Sequence, residues 1–229
     1  MITSIHLYGV SRAGAVQALM RMGLDRGPLT RTPGLRFFKL VGTGDGRTFT
    51  VRDADARRWG LIAVWDSPAD LNRFEATSPV ARAWNRLAAE RWRGDLQPIR
   101  SRGTWAGRDP FEGVAPDHQG PAAAITRARI RWRRAARFWS AVPPVSAELH
   151  RQEGLRYAVG FGEAPVGLQG TFSVWDSTRA LTSFAYGGAA HREAIADTQR
   201  LDWYAEELFA RFAVVGSAGT VDGRDPAAA

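Results

Sequence analysis

The sequence predicts an α+β protein made of tandem ferredoxin-like (βαββαβ) repeats packed sheet-to-sheet as an intramolecular dimeric α-β barrel. Three observations carry this expectation. One set of short motifs occurs twice in the same order along the 229 residues. Each copy alternates period-2 and period-3.6 apolar patterns in the order β-α-β-β-α-β. A single unit of that kind covers one sheet face with helices and leaves the other apolar face open, a problem that a second copy in the same chain solves.

The duplication is read from matched motifs. Gly34-Leu35-Arg36-Phe37 returns as Gly154-Leu155-Arg156-Tyr157, and Val64-Trp65-Asp66-Ser67 returns as Val174-Trp175-Asp176-Ser177. Phe74 and Arg82 match Phe184 and Arg192 in step with the tryptophans. Gly107-Arg108-Asp109-Pro110 matches Gly223-Arg224-Asp225-Pro226.

In the first copy (1–106) the pattern predicts a strand over Ile2–Val10, a helix over Ala13–Met22 and strands over Leu35–Val41 and Trp59–Trp65. Helices then follow over Pro68–Phe74 and Val80–Glu90, and a strand over Pro98–Trp105. A polar, glycine-rich hairpin, Gly44–Arg58, reads as surface. Residues 107–123 contain three prolines and read as a linker. In the second copy (124–221) Ile125–Trp132 alternates Ala128, Ile130 and Trp132 with Arg127, Arg129 and Arg131, a strand. A helix is expected from Arg134 to about Leu149, broken at Pro143-Pro144, then strands over Arg156–Phe161 and Gly167–Trp175. Asp176-Ser177 caps a helix from Thr178 that sends Leu181 and Phe184 to the core. Further helices are expected at Ala189–Asp197 and Trp203–Phe209, and Arg211–Val215 closes the sheet; 222–229 reads as a flexible tail.

Composition bounds the function. No cysteine is present, which excludes disulfides, thiolate metal sites and cysteine nucleophiles. The N-terminal residues lack a signal-peptide pattern and no apolar run reaches membrane-span length, so the expectation is a cytoplasmic protein. The net charge of +8 comes from arginines scattered among acids, with Lys39 the only lysine. That pattern argues against nucleic acid and leaves peripheral attraction to an anionic membrane as the more natural consequence.

Duplication is also an internal control: positions alike in both copies serve the fold, and positions that turn polar in one copy are candidates for chemistry. Ala81 corresponds to His191, which lies in the small-residue run Ala189-Ala190-His191-Arg192-Glu193-Ala194, where a flat macrocycle could approach. On one strand face Trp59, Leu61 and Ala63 become Gln169, Thr171 and Ser173, a polar stripe that is costly unless hydrogen-bonded or lining a cavity. The four histidines have no chelating spacing, and no nucleophile elbow, phosphate loop or dinucleotide fingerprint is found. One axial histidine on a macrocycle is the metal chemistry left.

Several motifs resemble a known family. Arg31-Thr32-Pro33-Gly34-Leu35-Arg36-Phe37, Gly46-Arg47-Thr48-Phe49, Ser78-Pro79-Val80-Ala81 and Gly103-Thr104-Trp105 with Asp109-Pro110-Phe111 are similar to the first half of spheroidene monooxygenase-type proteins, the bacterial carotenoid ketolases. Gly162-Glu163-Ala164-Pro165, Thr171-Phe172-Ser173-Val174-Trp175, Trp203-Tyr204-Ala205-Glu206-Glu207 and Phe209-Ala210-Arg211-Phe212 are similar to its second half. The resemblance implies a haem-dependent monooxygenase that hydroxylates or ketolates a long apolar polyene. It implies haem b with His191 as proximal iron ligand, as a helical histidine ligates haem in the more distant aldoxime dehydratases. Where the family pattern leads to Ser-Pro-Ala-His, this chain reads Gly188-Ala189-Ala190-His191, so the histidine is kept and the proline is lost. On this reading Gln169, Thr171 and Ser173 position the oxidant or substrate, and Arg192 and Arg156 are candidates for the haem propionates. An external electron donor is expected, in a monomer or homodimer. Two alternatives stand beside it: an aldoxime dehydratase-like enzyme acting on an N–O or N–N substrate, and a non-catalytic haem or lipophile carrier.

Overall fold

The computed structural model describes residues 1–44, 54–113, 118–130, 133, 148–163, 168–187 and 204–228. Its class is the expected one, α+β with two ferredoxin-like repeats, the class of the dimeric α-β barrels. The chain divides into two compact units. The first comprises residues 1–43, 55–97 and 214–229, and the second 44–54 and 98–213.

In the first unit β1 (Ile2–Val10) pairs antiparallel with both β3 (Ala54–Trp65) and β4 (Ala88–Gly103), and β2 (Leu35–Gly44) lies beyond β3. Four helices accompany this sheet: α1 (Ala15–Leu24), α2 (Arg26–Thr30), α3 (Pro68–Thr77) and α4 (Pro79–Leu87). The core between sheet and helices joins Ile2, Tyr8, Val10, Leu40, Leu61, Trp65, Leu71, Phe74 and Trp84, with Phe38 and Trp59 packed against it. In the second unit β5 (Ala122–Ile130) pairs with β7 (Leu168–Trp175) and β8 (Tyr204–Gly219), and β6 (Leu155–Gly162) pairs with β7. Helix α5 (Thr178–Gly187) packs Leu181 and Phe184 against Trp175, Ala122 and Ala158.

The recurring motifs recur because they meet each other. Asp66 N–H donates to the Gly34 carbonyl at 2.8 Å, and Asp176 N–H donates to the Gly154 carbonyl at the same distance. Arg36 pairs with Asp66 and Arg156 with Asp176. Ser67 accepts the Asp70 N–H and Ser177 the Ala180 N–H, capping α3 and α5. Trp65 and Trp175 are fully buried behind them.

Each of the two Gly-Arg-Asp-Pro segments begins in a hydrogen-bonded turn. Ala106 and Gly107 have φ of 59° and 79°, and Asp222 and Gly223 have 54° and 74°, the two left-handed residues of a type I′ turn. Glu206 accepts from Gly107 N–H and Thr104 Oγ1, while Glu90, its counterpart in the other repeat, accepts from Gly223 N–H and Thr220 Oγ1. Trp105 and Phe111 are buried, and Trp92 Nε1 donates to Asp225 at 2.8 Å.

Two helical expectations fail in the same way. Ala88–Glu90 belongs to β4 and Tyr204–Phe209 to β8. Alanine, leucine and glutamate favour helix locally, but pairing with β1 and β5 satisfies the whole backbone at once and overrides that preference.

Candidate functional site

The two sheets can be compared position by position because their registers match. Ile2 pairs with Trp65 as Ala122 pairs with Trp175. On the face of the first sheet that meets the helices, β1 presents Ile2, Ser4, His6 and Tyr8, β2 presents Phe38 and Leu40, and β3 presents Trp59, Leu61 and Ala63. The matching residues of the second sheet are Ala122, Ala124, Thr126 and Ala128, then Ala158 and Gly160, then Gln169, Thr171 and Ser173. The exchange removes on the order of thirty non-hydrogen side-chain atoms from one face, the scale of a cofactor-sized pocket.

The end of this face near α5 stays packed, through Trp175, Leu181 and Phe184. At the other end, Ala128 is buried and Gly160 half-buried. Thr126 is exposed where its counterpart His6 is buried, and Phe209, cross-strand from Thr126, is 37% exposed. The second sheet thus carries a small-residue floor with two hydroxyls, Thr126 and Thr171, paired cross-strand at its centre.

The expected site residues fall as follows. Thr171 is half-buried on this floor. Ser173 is buried and accepts the Trp175 indole N–H at 2.9 Å. In the first unit the matching indole, Trp65, donates at 2.8 Å to Ser4, which sits on the opposite strand of the same cross-strand pair. A serine is therefore supplied to the tryptophan in both copies, from β1 in one and from β7 in the other, which gives Ser173 a packing role. Gln169 lies in β7, two residues before Thr171. Arg156 is held by Asp176 as Arg36 is by Asp66. His191 and Arg192 lie outside the described residues.

The first unit holds a polar cluster that the sequence reading passed over. His6 is 2% exposed, with Nε2 2.9 Å from Ser4 Oγ and Nδ1 3.6 Å from Glu75 Oε1. Since Ser4 already accepts from Trp65, the simplest satisfied arrangement has Ser4 donate to Nε2 and leaves the Nδ1 proton facing Glu75. Arg93 lies between Glu75 and Asp95, at 3.7 and 2.9 Å, and Arg91 approaches Glu75 at 4.0 Å. Burial lowers the His6 pKa to about 3, helped by Arg93 and Arg91. Burial raises Glu75, against the pull of Arg93 and Arg91. The imidazole is thus neutral and enclosed. The counterparts Ala124, Thr126, Ala185, Phe209 and Arg211 in the other repeat carry none of this arrangement. Comparing β1 with β5 in register would have exposed the difference, but that register becomes visible only once the strands are paired.

A third copy-specific feature lies on the opposite face of the second sheet. Arg127, in the place of Leu7, is 1% exposed, paired with Glu206 and 3.5 Å from Glu163. Its guanidinium carbon stands 5.6 Å from the Trp105 ring, whose Nε1 donates to Glu163 at 2.7 Å. Burial works against Glu206, but Gly107 N–H and Arg127 together hold its carboxyl below the usual range. This cluster ties the 103–110 turn down and keeps every charge in contact with an opposite one. Among the described residues no group of three His, Asp or Glu side chains could hold a metal ion, and no helix is long and apolar enough to cross a membrane.

No family model matches the chain. It is 39% identical over 213 residues to the spheroidene monooxygenase of Rhodobacter capsulatus, covering 92% of this chain and 88% of that one. It is 38% identical over 197 residues to the spheroidene monooxygenase of Rubrivivax gelatinosus, covering 86% of this chain and 75% of that one. Among solved structures, an aldoxime dehydratase superposes with a TM-score of 0.62 at 13% identity, over 93% of this chain and 80% of that one, so the two share a fold.

Proposed function

The chain belongs to the spheroidene monooxygenase family and is a monooxygenase, and from that premise we propose a haem-dependent enzyme that hydroxylates or ketolates a carotenoid-like polyene. His191 is its proximal iron ligand, and the emptied face of the second sheet is the cofactor and substrate side. One observation carries the reading: a face packed by Tyr8, Phe38, Leu40, Trp59 and Leu61 in the first repeat is reduced to Ala128, Ala158, Gly160, Gln169 and Thr171 in the second. The described residues fit a flat, largely apolar group, because β5, β6 and β7 present small uncharged residues there, with Glu207 and Arg211 of β8 at the border.

Haem bound there supplies the oxidising chemistry, and the chain's share is orientation and access. His191, as a neutral imidazole, would hold the iron. Thr171 and Thr126 offer hydroxyls that can hold a polar group or a water over the floor, and Gln169, two residues before Thr171 in β7, is a further candidate. Ser173, already accepting from Trp175, keeps one proton to donate. Arg192 and Arg156 are the candidate propionate partners, with Arg156 steadied by Asp176. The apolar neighbours Ala124, Ala158 and Phe209 suit a polyene that brings no polar anchor. Inserting one oxygen atom from dioxygen into a C–H bond releases the other as water and consumes two electrons and two protons, so an external reductant is required.

The test is the absorption spectrum of the protein produced with haem supplied. A Soret band is expected for the native chain, with loss or a large shift in His191→Ala and recovery by added imidazole. A native protein that never takes up haem removes the proposal.

A further inference from the structure

We propose that the outer face of α1 is a lipid-docking surface that seats the protein on an anionic bilayer. Helix α1 is apolar almost all round, a composition that ordinarily means burial on every side. Only one side is buried here. Ala18 is fully enclosed and Met22 packs against the core of the first unit. On the opposite side Val16, Leu19, Met20 and Leu24 are 70%, 61%, 60% and 67% exposed. Their spacing of i, i+3, i+4 and i+8 makes one contiguous stripe along the helix. These four make up most of the large apolar side chains left exposed among the described residues, so the apolar surface is concentrated rather than scattered.

The charge around the stripe selects the occupant. The cations close to the stripe in sequence are Arg12, three residues before α1, Arg26 at the start of α2 and Arg31 just after it, whereas Arg21 is bound to Asp25 and Arg36 to Asp66. Asp25 is 4% exposed and bound by Arg21 at 3.0 Å, so it does not offset the rim. Arg12, Arg26 and Arg31 are exposed. An apolar stripe edged by cations matches the headgroup and acyl boundary of an anionic leaflet. A second copy of this chain matches it poorly, because a two-fold contact would bring the cationic rim against itself.

Docking there rests on the physical chemistry of α1 alone. The proposed polyene substrate gives it a purpose, since such a molecule is stored in the bilayer. The two ideas fail separately. A protein that binds vesicles but takes up no haem keeps the surface and loses the oxygenase reading; the converse result does the reverse.

The experiment is sedimentation of the full chain with carotenoid-free vesicles of phosphatidylcholine, alone or with about one third phosphatidylglycerol. The native protein should pellet with the anionic vesicles and be released as salt is raised. Replacing Leu19, Met20 and Leu24 by Gln should lower the partition roughly tenfold or more with the melting temperature held, because the replaced groups lie in solvent. Arg12→Gln with Arg26→Gln should cut the preference for anionic over neutral vesicles. Met20→Gln alone reads the same loss at smaller size if the triple variant folds poorly. Absence of native binding, or equal binding by the Gln variants, overturns the proposal. A native dimer that the triple variant dissociates, without vesicle binding, assigns the face to a second copy and also overturns it.

Discussion

Acidification from pH 7 to pH 5 should destabilise this protein through His6 in particular, and the effect can be sized from its surroundings. The ring is 2% exposed, with Arg93 and Arg91 close by, and its pKa falls from 6.5 to about 3. A folded-state pKa below the unfolded one means that the unfolded chain takes the proton first. Stability is therefore lost as pH drops below about 6.5 and keeps falling toward about 3. At pH 5 the unfolded histidine is almost fully protonated and the folded one is not, which corresponds to about 2 kcal/mol. Glu75 works the other way, since its raised pKa lets the folded state bind a proton earlier on acidification, so the native protein alone shows a reduced slope. His6→Gln isolates the imidazole because Gln still reaches Ser4 but does not titrate. Urea unfolding of both proteins at pH 7, 6 and 5 should show the native-minus-variant stability difference shrinking by about 2 kcal/mol, or some 4–8 °C in melting temperature. A difference that is the same at all three values would mean that His6 is not held neutral in the fold.

Refilling the second sheet tests the emptied face directly: Ala128→Tyr with Gly160→Leu should leave a folded protein whose haem uptake, read by the Soret band, falls at least about tenfold. Ala106 adopts a left-handed conformation with φ of 59°, which its counterpart Asp222 accommodates better. Ala106→Asn should therefore raise stability by about 0.5–1 kcal/mol, and a drop in melting temperature would show the turn is held otherwise. Among the described residues, Glu206→Ala leaves the buried Arg127 with the 3.5 Å Glu163 carboxylate as its one remaining acidic neighbour and should cost about 3 kcal/mol or more. The matching Glu90→Ala breaks only hydrogen bonds at the surface and should cost about 1 kcal/mol, so equal losses in chemical denaturation would contradict the role assigned to Arg127.

The repeat was legible because its motifs are short-range devices. A capping serine, a buried tryptophan and a left-handed glycine leave the same letters wherever they occur, so Val64–Ser67 and Val174–Ser177 could be matched by eye. The polar stripe at Gln169, Thr171 and Ser173 was legible too, as alternation within one strand. The partner of Ser173 was not: its hydroxyl serves Trp175, and the parallel with Ser4 and Trp65 crosses between strands. His6 was missed for the same reason. Its setting is made by Glu75 on α3 and Arg93 on β4, residues 69 and 87 positions away.

By itself, then, the amino-acid order determined the duplicated α+β plan, the strand and helix sequence of most of each repeat, and the divergence of the second copy. Those features rest on periodicity and local hydrogen bonding, which a chain carries in its own neighbourhood. Tertiary structure alone decided that Ala88–Glu90 and Tyr204–Phe209 are strands, and that the Gly-Arg-Asp-Pro turns are anchored by carboxylates of the other repeat. It also decided which nine positions of one sheet correspond to which nine of the other. Strand pairing fixes these outcomes, and pairing is a relation between distant segments that no local pattern encodes.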